Sequence, residues 1–188
     1  MIIGIAGPSA SGKTTIAHLL EKKYGAVRMR YSGILSDMAR GRDLDPEDKQ
    51  TLQNLYLEER KSRGENFLAE EMKNRVALLH PEILVIEGNR RLVDIEMLRA
   101  LAKDRKEELL LIFVDASQAV RLERYNERLQ KQGEKPISEK DFAELESNDA
   151  EDEVAKIGEI AKEEGLYIHT DNLSQDDTMR AIDEKIGS

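Results

Sequence analysis

The sequence contains no cysteine and no tryptophan among its 188 residues, and aromatic residues make up only 4%. Without cysteine, the chain can form neither a disulfide framework nor a thiolate metal site. A formal net charge of −9 argues against the broad basic face of a general nucleic-acid binder. No apolar run approaches the roughly 18 residues that a membrane span needs. We therefore expect neither a membrane nor a nucleic-acid partner.

The amino terminus also lacks a recognisable export signal. Met1 leads directly into an apolar run, without the basic region and cleavage site of a secretory signal peptide. We therefore expect a cytoplasmic protein. A length of 188 residues suits one domain with small insertions, and the sequence leaves its oligomeric state open between monomer and homodimer.

Short apolar runs alternate with helical patterns along the chain. The runs within residues 83–88 and 108–115 are apolar almost throughout, which is typical of strands buried on both faces. Residues 26–31 alternate apolar residues with Arg28 and Arg30, which predicts a strand near a sheet edge. With residues 2–6 and a short run at 165–170, this alternation predicts an α/β protein with a mostly parallel sheet.

About fifty residues after the second predicted strand carry no strand pattern. They are interpreted as three helices, at 32–40, 46–62 and 65–79. Asp45 followed by Pro46 predicts the start of the middle helix, as an N-cap followed by proline at the first helical position. Crossovers leave from the carboxyl ends of parallel strands, where ligands bind in such sheets. This segment can therefore fold over that edge.

The stretch "GPSASGKT" between the first strand and the first helix matches the phosphate-binding P-loop pattern. Small residues allow backbone N–H groups to curl around a phosphate, and the following helix adds the positive end of its dipole. Lys13 would reach the β- and γ-phosphates of ATP, and the Thr14 hydroxyl would bind Mg²⁺. The predicted nucleotide-binding residues are Gly7, Ser9, Ala10, Ser11, Gly12, Lys13, Thr14 and Thr15, with Arg121 from a later helix.

A metal held by one hydroxyl needs a carboxylate nearby. Glu87 ends the third strand and is the first candidate, because Gly88 beside it permits close approach of a ligand. Asp115 ends the fourth strand and is the competitor. Its alternative role is to cap the helix that follows.

Arginines are frequent where a phosphoryl-transfer site needs cations. Transfer between two anions requires positive charge to bring them together and to neutralise the phosphoryl oxygens. No N-K-x-D segment for guanine recognition is present, which argues against a GTPase. The predicted catalytic residues are Lys13, Arg90, Arg91, Arg124 and Arg128, and the substrate-binding candidates are Asp37, Arg40, Arg60 and Glu87.

Each arginine group also has a structural alternative. Arg121, Arg124 and Arg128 share one helical face with interleaved glutamates, so they could form a salt-bridged solvent face. Arg60 and its neighbours could be ordinary surface residues. Arg90 and Arg91 follow a strand end directly, which favours a functional role.

With these motifs the chain resembles the nucleoside-monophosphate-kinase group of P-loop kinases, especially archaeal-type adenylate-kinase-like and dephospho-coenzyme-A-kinase-like proteins. "SDMAR" is similar to the segment whose arginine binds the monophosphate, and "IEGNRR" to the segment after the third strand. "VDASQAVRLERYNER" is similar to the strand and lid-entry helix. Late segments, including Asp149, Glu151 and a strand ending near Asn172, are also similar.

The resemblance implies a P-loop NTPase fold with a five-stranded parallel sheet in the order 2-3-1-4-5. It implies one kinase domain, with a core of 1–31, 82–118 and 148–188, a monophosphate-binding insert of 32–81 and a lid of 119–147. It also implies ATP and Mg²⁺ as cofactors. Because the lid carries no cysteine, no zinc site is expected there.

One departure bears on the acceptor. Dephospho-coenzyme-A kinases typically end the second strand in an acidic segment that serves as base for a hydroxyl. Here the corresponding place reads "RYSG", and the first carboxylate after it is Asp37. The sequence thus predicts an ATP-dependent kinase of a (deoxy)nucleoside monophosphate. A dephospho-coenzyme-A kinase and a partner-dependent regulatory ATPase are the alternatives.

Overall fold

The computed structural model describes residues 1–147 and 151–187, without the side chains of Lys49 and Glu151. These residues form five strands and nine helices. In chain order they are β1 (Ile2–Ala6), α1 (Lys13–Tyr24), β2 (Val27–Arg30), α2 (Tyr31–Arg40), α3 (Lys49–Arg63), α4 (Phe67–Val76), β3 (Leu84–Asn89), α5 (Leu92–Arg105), β4 (Leu109–Asp115), α6 (Gln118–Lys131), α7 (Glu139–Ser147), α8 (Glu151–Glu164), β5 (Leu166–His169) and α9 (Gln175–Ile186).

All strand pairs are parallel, and the order across the sheet is β2-β3-β1-β4-β5. This confirms the predicted sheet and its order. Because the strands are parallel, all five carboxyl ends lie at one edge of the sheet. That edge carries the P-loop after β1 and the insert after β2.

The central strands are apolar throughout because helices cover both faces of the sheet. On one face β1, β3 and β4 pack with α2, α4, α5 and α8, and on the other with α1 and α9. A third, smaller cluster of Tyr125, Leu129 and Phe142 holds α6 against α7 in the predicted lid.

The edge strand β2 differs in detail from the sequence expectation. Tyr31 was expected in the strand, but it begins α2 and is buried, so β2 passes into the helix without a loop. The expected polar face is also wrong at Arg28, whose side chain is only 13% exposed beside Glu21, whereas Val27 is exposed. The cause is the position of α1, whose Glu21 lies 3.5 Å from Arg28 Nη1.

The start of the middle insert helix was predicted wrongly. Asp45 accepts a hydrogen bond from the Glu47 amide at 2.9 Å and so forms a turn. Asp48 is the actual N-cap, since its carboxylate accepts from the Thr51 amide at 2.8 Å. A good N-cap three residues further on thus overrides the pairing of Asp45 with Pro46.

Candidate active site

The P-loop connects Ala6 at the end of β1 to Lys13 at the start of α1. Gly7 has a φ of 137°, and a Cβ there would lie 2.0 Å from the Val114 carbonyl oxygen, so only glycine fits. Ala10 (φ 58°) and Gly12 (φ 108°) also adopt positive φ. Such a left-handed conformation is uncommon for alanine and is typical of strained functional loops. The loop is therefore curled in the manner that binds anions.

The Lys13 ammonium lies inside this loop. Its Nζ donates a hydrogen bond to the Pro8 carbonyl oxygen at 2.5 Å. Burial, together with the positive charge of Arg90, lowers the pKa of Lys13 to about 7, while Glu87 opposes the shift. A pKa this low indicates that too little negative charge surrounds the Lys13 ammonium group to stabilise its charged form. A bound phosphate would supply that charge.

The other predicted P-loop residues lie where the sequence placed them. Ser9 lies in the loop, and Ser11 is fully buried there. The Ser11 hydroxyl has no hydrogen-bond partner within the described residues. Thr14 and Thr15 are exposed in the first turn of α1, next to Lys13. Their hydroxyls are therefore accessible beside the phosphate loop.

Arg90 enters the site from the turn after β3. Its Nη2 donates to the Ser9 hydroxyl at 3.3 Å, so the guanidinium reaches the P-loop. Burial lowers the pKa of Arg90, and the charge of Arg128 adds to this effect. Lys13, Arg90, Arg121 and Arg128 thus form one group of mutually repelling cations, which we call the cation cluster.

Arg91 is oriented differently from Arg90. Its Nη1 donates to the Glu65 carbonyl oxygen at 2.8 Å, and its Nε lies 3.4 Å from a Glu153 carboxylate oxygen. Arg91 therefore links the insert to α8 and does not face the P-loop. The structure places it as a bridge between elements and does not bring it into the cation cluster.

The three arginines of α6 share a helical face but differ in their contacts. Arg121 forms an ion pair with Glu146 of α7, and both line a narrow cavity of about 60 Å³ beside Gly7 and Arg90. Arg128 is exposed and lies 4.8 Å from the centre of the Tyr125 ring.

Arg124, the remaining arginine of this face, hydrogen-bonds to the backbone of two other segments. It donates to the Ser11 carbonyl oxygen at 3.2 Å and to the hydroxyl of Thr170 at 2.9 Å. A solvent-exposed salt-bridged face therefore does not describe this helix, because Arg124 contacts the P-loop and Arg121 lines the cavity beside it.

Glu87 lies in β3, two residues before the strand ends and in register with Arg30 of β2, and it is almost fully buried. Burial raises the pKa of its carboxyl group, whereas Arg28, Arg30 and Lys13 oppose that shift. Its Oε2 atom has no hydrogen-bond partner within residues 1–147 and 151–187. This free carboxylate oxygen, with the accessible Thr14 hydroxyl, suits the ligand preference of Mg²⁺.

Asp115, the competing carboxylate, is engaged elsewhere. Its two oxygens accept from the Ala116 amide at 2.8 Å and from the Tyr167 hydroxyl at 2.5 Å. The expected alternative role of Asp115 as helix cap is wrong, because Ser117 caps α6. In the part of the chain that the structure describes, no three His, Asp or Glu side chains form a metal-binding group. Phosphate oxygens and water would complete the coordination of a metal at Glu87 and Thr14.

The insert residues predicted to bind substrate form ion pairs with other residues of the insert. Asp37 accepts from Arg40 Nη1 at 2.8 Å and from Arg75 Nη1 at 2.5 Å, and the Arg75 hydrogen bond lowers the pKa of the Asp37 carboxyl group. Arg60 pairs with Glu65. The polar contacts of Asp37, Arg40 and Arg60 all lie within the insert, so the structure does not bring them to Lys13.

Two buried polar residues that the sequence did not single out shape the strand ends. Asn89 donates through Nδ2 to the carbonyl oxygens of Ile5 (3.0 Å) and Ile86 (2.8 Å). It lies just after a bulge at Gly88 (φ 88°), where the pairing of β1 with β3 shifts register. The second residue is Asp94, which is buried in the first turn of α5. A polar residue directly after an apolar strand was the available signal for Asn89.

Asp149 lies outside the described residues, as does the Glu151 side chain, so the similarity drawn for that segment has no structural counterpart here. A larger cavity of about 510 Å³ lies between the carboxyl half of α1 and α9. It contains no P-loop residue. No described helix is both long and apolar enough to cross a membrane.

The comparisons with known proteins agree with this geometry. A family model described as an AAA domain matches residues 3–153, which is most of the chain. The chain belongs to the AAA domain family. No curated protein matches the sequence significantly.

Solved structures show the same fold as this AAA-domain chain at low sequence identity. A "putative kinase" from Chloroflexus aurantiacus J-10-fl has a TM-score of 0.60 at 16% identity, over 99% of this chain and 95% of that one. An uncharacterized protein from Eubacterium ventriosum has a TM-score of 0.60 at 14% identity, over 100% and 99%. A gluconokinase from Sinorhizobium meliloti 1021 has a TM-score of 0.57 at 13% identity, over 96% and 89%. The AAA-domain chain therefore has a P-loop kinase-like fold.

Proposed function

We propose that this protein is an ATP-dependent kinase that transfers the γ-phosphoryl group to a (deoxy)nucleoside monophosphate. The observation that carries the proposal is the cation cluster. Lys13, Arg90, Arg121 and Arg128 come from three separate segments and converge on one P-loop. Clustering them without an anion costs free energy, and such perturbed groups concentrate at functional sites.

The residues of the cluster take distinct roles. The P-loop amides and Lys13 bind the triphosphate, and Arg90 and Arg128 neutralise charge that develops on the transferring phosphoryl group. Arg121 binds the nucleotide when a phosphate replaces Glu146 as its ion-pair partner. Arg40 of the insert binds the acceptor phosphate, once the insert moves toward the P-loop.

Magnesium fits the residues present. Thr14 and Glu87 would hold it, directly or through water, because the Glu87 Oε2 atom has no other described partner. When bound, the metal would neutralise charge on the β- and γ-phosphate oxygens. Glu87 must be ionised for this role, and the surrounding Arg28, Arg30 and Lys13 favour that state against burial.

The end of β2 supports a phosphate acceptor. A hydroxyl acceptor needs a general base, whereas an acceptor phosphate is already ionised and needs cations. At this position the chain carries Arg30, and the first turn of α2 has no acidic residue. Arg28 adds a second positive charge two residues earlier in the same strand, beside Glu21. An anion is therefore favoured over a neutral hydroxyl at this edge of the sheet.

Two other functions stay open to the same test. A hydroxyl acceptor, such as dephospho-coenzyme A or the substrate implied by the gluconokinase name, would need Glu87 as its base. That residue offers one free oxygen beside Lys13. The alternative of another class is an ATPase that regulates a partner protein.

A coupled assay of ADP release separates the three functions. Nucleoside monophosphates, dephospho-coenzyme A and gluconate are added singly to the protein with ATP and Mg²⁺. The proposal expects ADP release to rise with a monophosphate, and a thermal shift with the same compound to confirm binding. Stimulation by a hydroxyl acceptor alone, or ADP release that no small acceptor changes, would contradict it.

A further inference from the structure

We propose that Asp94 is a positioning residue, which fixes the turn after β3 so that the Arg90 guanidinium reaches the P-loop. This inference rests on the proposed function, because it gives Arg90 a role in phosphoryl transfer. Among the described residues, Asp94 hydrogen-bonds to the amides of Arg90 and Arg91 and not to the P-loop. It acts through the backbone of the residues that precede α5.

The carboxylate of Asp94 holds two consecutive amides. Its Oδ2 atom accepts from the Arg90 amide at 2.9 Å and from the Arg91 amide at 3.0 Å. Asp94 is the third residue of α5 and is only 6% exposed. An acidic residue at this place commonly accepts from the N-cap amide alone. The second hydrogen bond, to Arg90, fixes one residue more than helix capping requires.

The fixed turn sends two adjacent arginines in different directions. Arg90 reaches Ser9 in the P-loop, whereas Arg91 reaches Glu65 of the insert and Glu153 of α8. Both side chains depend on the φ and ψ angles of the same short segment. If that segment relaxed, the Arg90 guanidinium would move away from the Ser9 hydroxyl, because the hydrogen bond from the Arg90 amide to Asp94 would no longer fix its backbone.

A second group keeps this carboxylate in place. The buried phenol of Tyr31, the first residue of α2, faces Asp94, and burial together with the Asp94 charge raises the pKa of the phenol. Burial also raises the pKa of Asp94, whereas the two amides lower it. The carboxylate is thus enclosed between the insert and the Arg90 turn, with its hydrogen bonds directed at the backbone.

The test compares Asp94→Ala with Asp94→Asn in the phosphoryl-transfer assay. Alanine removes the acceptor, so we expect kcat to fall by roughly tenfold to a hundredfold, as for other misplaced catalytic groups. The KM for ATP should change by less than about threefold, since the P-loop itself is intact. Asparagine retains one oxygen that can accept from both amides, and it should restore most of kcat.

Ser174→Ala is the matched control, because Ser174 caps α9 with a 3.1 Å hydrogen bond from the Asp177 amide and lies in no part of the site. It should lower stability without lowering kcat. If Asp94→Ala fails to fold, Asp94→Ser replaces it. The serine side chain keeps a polar group at this buried position but is too short to accept from both amides, so kcat should fall as expected for alanine.

Double-mutant cycles decide whether Asp94 acts through Arg90. In an Arg90→Ala background, Asp94→Ala should lower kcat no further, whereas in an Arg91→Ala background its full effect should remain. Additive losses in the Arg90→Ala background would overturn the inference, as would a normal kcat in Asp94→Ala. If Arg90→Ala itself leaves kcat unchanged, the proposed role of Arg90 fails instead.

Discussion

Arg124 of the lid helix donates a hydrogen bond to the Ser11 carbonyl oxygen of the P-loop at 3.2 Å. The same guanidinium donates to the hydroxyl and carbonyl oxygens of Thr170, which follows β5. Three segments distant in sequence therefore meet at one side chain. Because Arg124 donates to the backbone of the loop, we infer that it supports the shape of the loop.

Arg124→Ala should weaken ATP binding by roughly tenfold or more, because it removes charge-assisted hydrogen bonds to the loop backbone. Arg124→Lys should not restore the affinity, since an ammonium group cannot reproduce the planar fork. Isothermal titration with ATP measures both variants. Arg99→Ala is the control, because the ion pair that Arg99 makes is with exposed Glu164. Equal affinities for Arg124→Ala and Arg99→Ala would remove the supporting role of Arg124.

Binding of ATP should take up a proton above pH 7. Lys13 has a pKa of about 7 in the ligand-free protein, so at pH 8 it is mostly neutral, and phosphate favours its charged form. Affinity should therefore fall as pH rises above 7, by at most about tenfold per unit. Titration in buffers of different ionisation enthalpy measures the proton uptake. Uptake that persists in Lys13→Met would assign it to another group.

The lowered pKa of Lys13 makes ATP affinity fall with pH, but it makes the stability of the ligand-free protein rise with pH. Between about pH 7 and the ordinary lysine value of 10.5, the unfolded chain holds a proton that folded Lys13 has released. The contribution of this group to the free energy of unfolding therefore rises with pH over that range. Lys13→Met should flatten the rise in a series of urea titrations.

Arg90 and Arg91 should affect different kinetic constants, although they are neighbours. Arg90→Ala removes a cation beside Lys13, so kcat should fall by roughly a hundredfold. Arg91→Ala breaks the link between the insert and α8, so the acceptor KM should rise with a smaller loss of kcat. Steady-state kinetics with varied acceptor distinguish them. Identical effects of the two substitutions on kcat would contradict this division.

Asn89→Ala should destabilise the sheet by about 2 kcal/mol, because two buried carbonyl oxygens lose their Nδ2 donor. Asn54→Ala is the matched control. Asn54 also makes an amide hydrogen bond, to Gln50, but on an exposed helix surface, so the change should stay within about 0.5 kcal/mol. Urea unfolding measures both. If the two variants unfold at the same urea concentration, Asn89 is not needed to join β1 to β3.

The central strands and the P-loop were predictable from sequence because their determinants are local, whereas the order of the strands was implied by the family resemblance. The apolar runs of β3 and β4 and the glycines of the P-loop each specify their own conformation. Helix starts were less predictable where two caps competed, as Asp45 and Asp48 did. Both carboxylates accept from a backbone amide, but the bond to Asp48 comes from Thr51, three residues further on, as in a helix N-cap.

The roles of the arginines could not be predicted to the same extent. Arg121, Arg124 and Arg128 have equivalent helical spacing, but Glu146 of α7 holds the first and Thr170 after β5 holds the second. These partners are distant in sequence, so periodicity cannot identify them. Asp94 was missed for a similar reason. Acidic residues are common in the first turn of a helix, and only the fold shows that this one also holds the Arg90 amide.

The most direct test of the account is ATP binding, measured by isothermal titration with Mg²⁺, in the unaltered protein and in Lys13→Ala. The account predicts binding to the unaltered protein and a loss of at least roughly tenfold in the variant, because Lys13 is the buried cation of the P-loop. Absence of ATP binding by the unaltered protein, or undiminished affinity in Lys13→Ala, would contradict it.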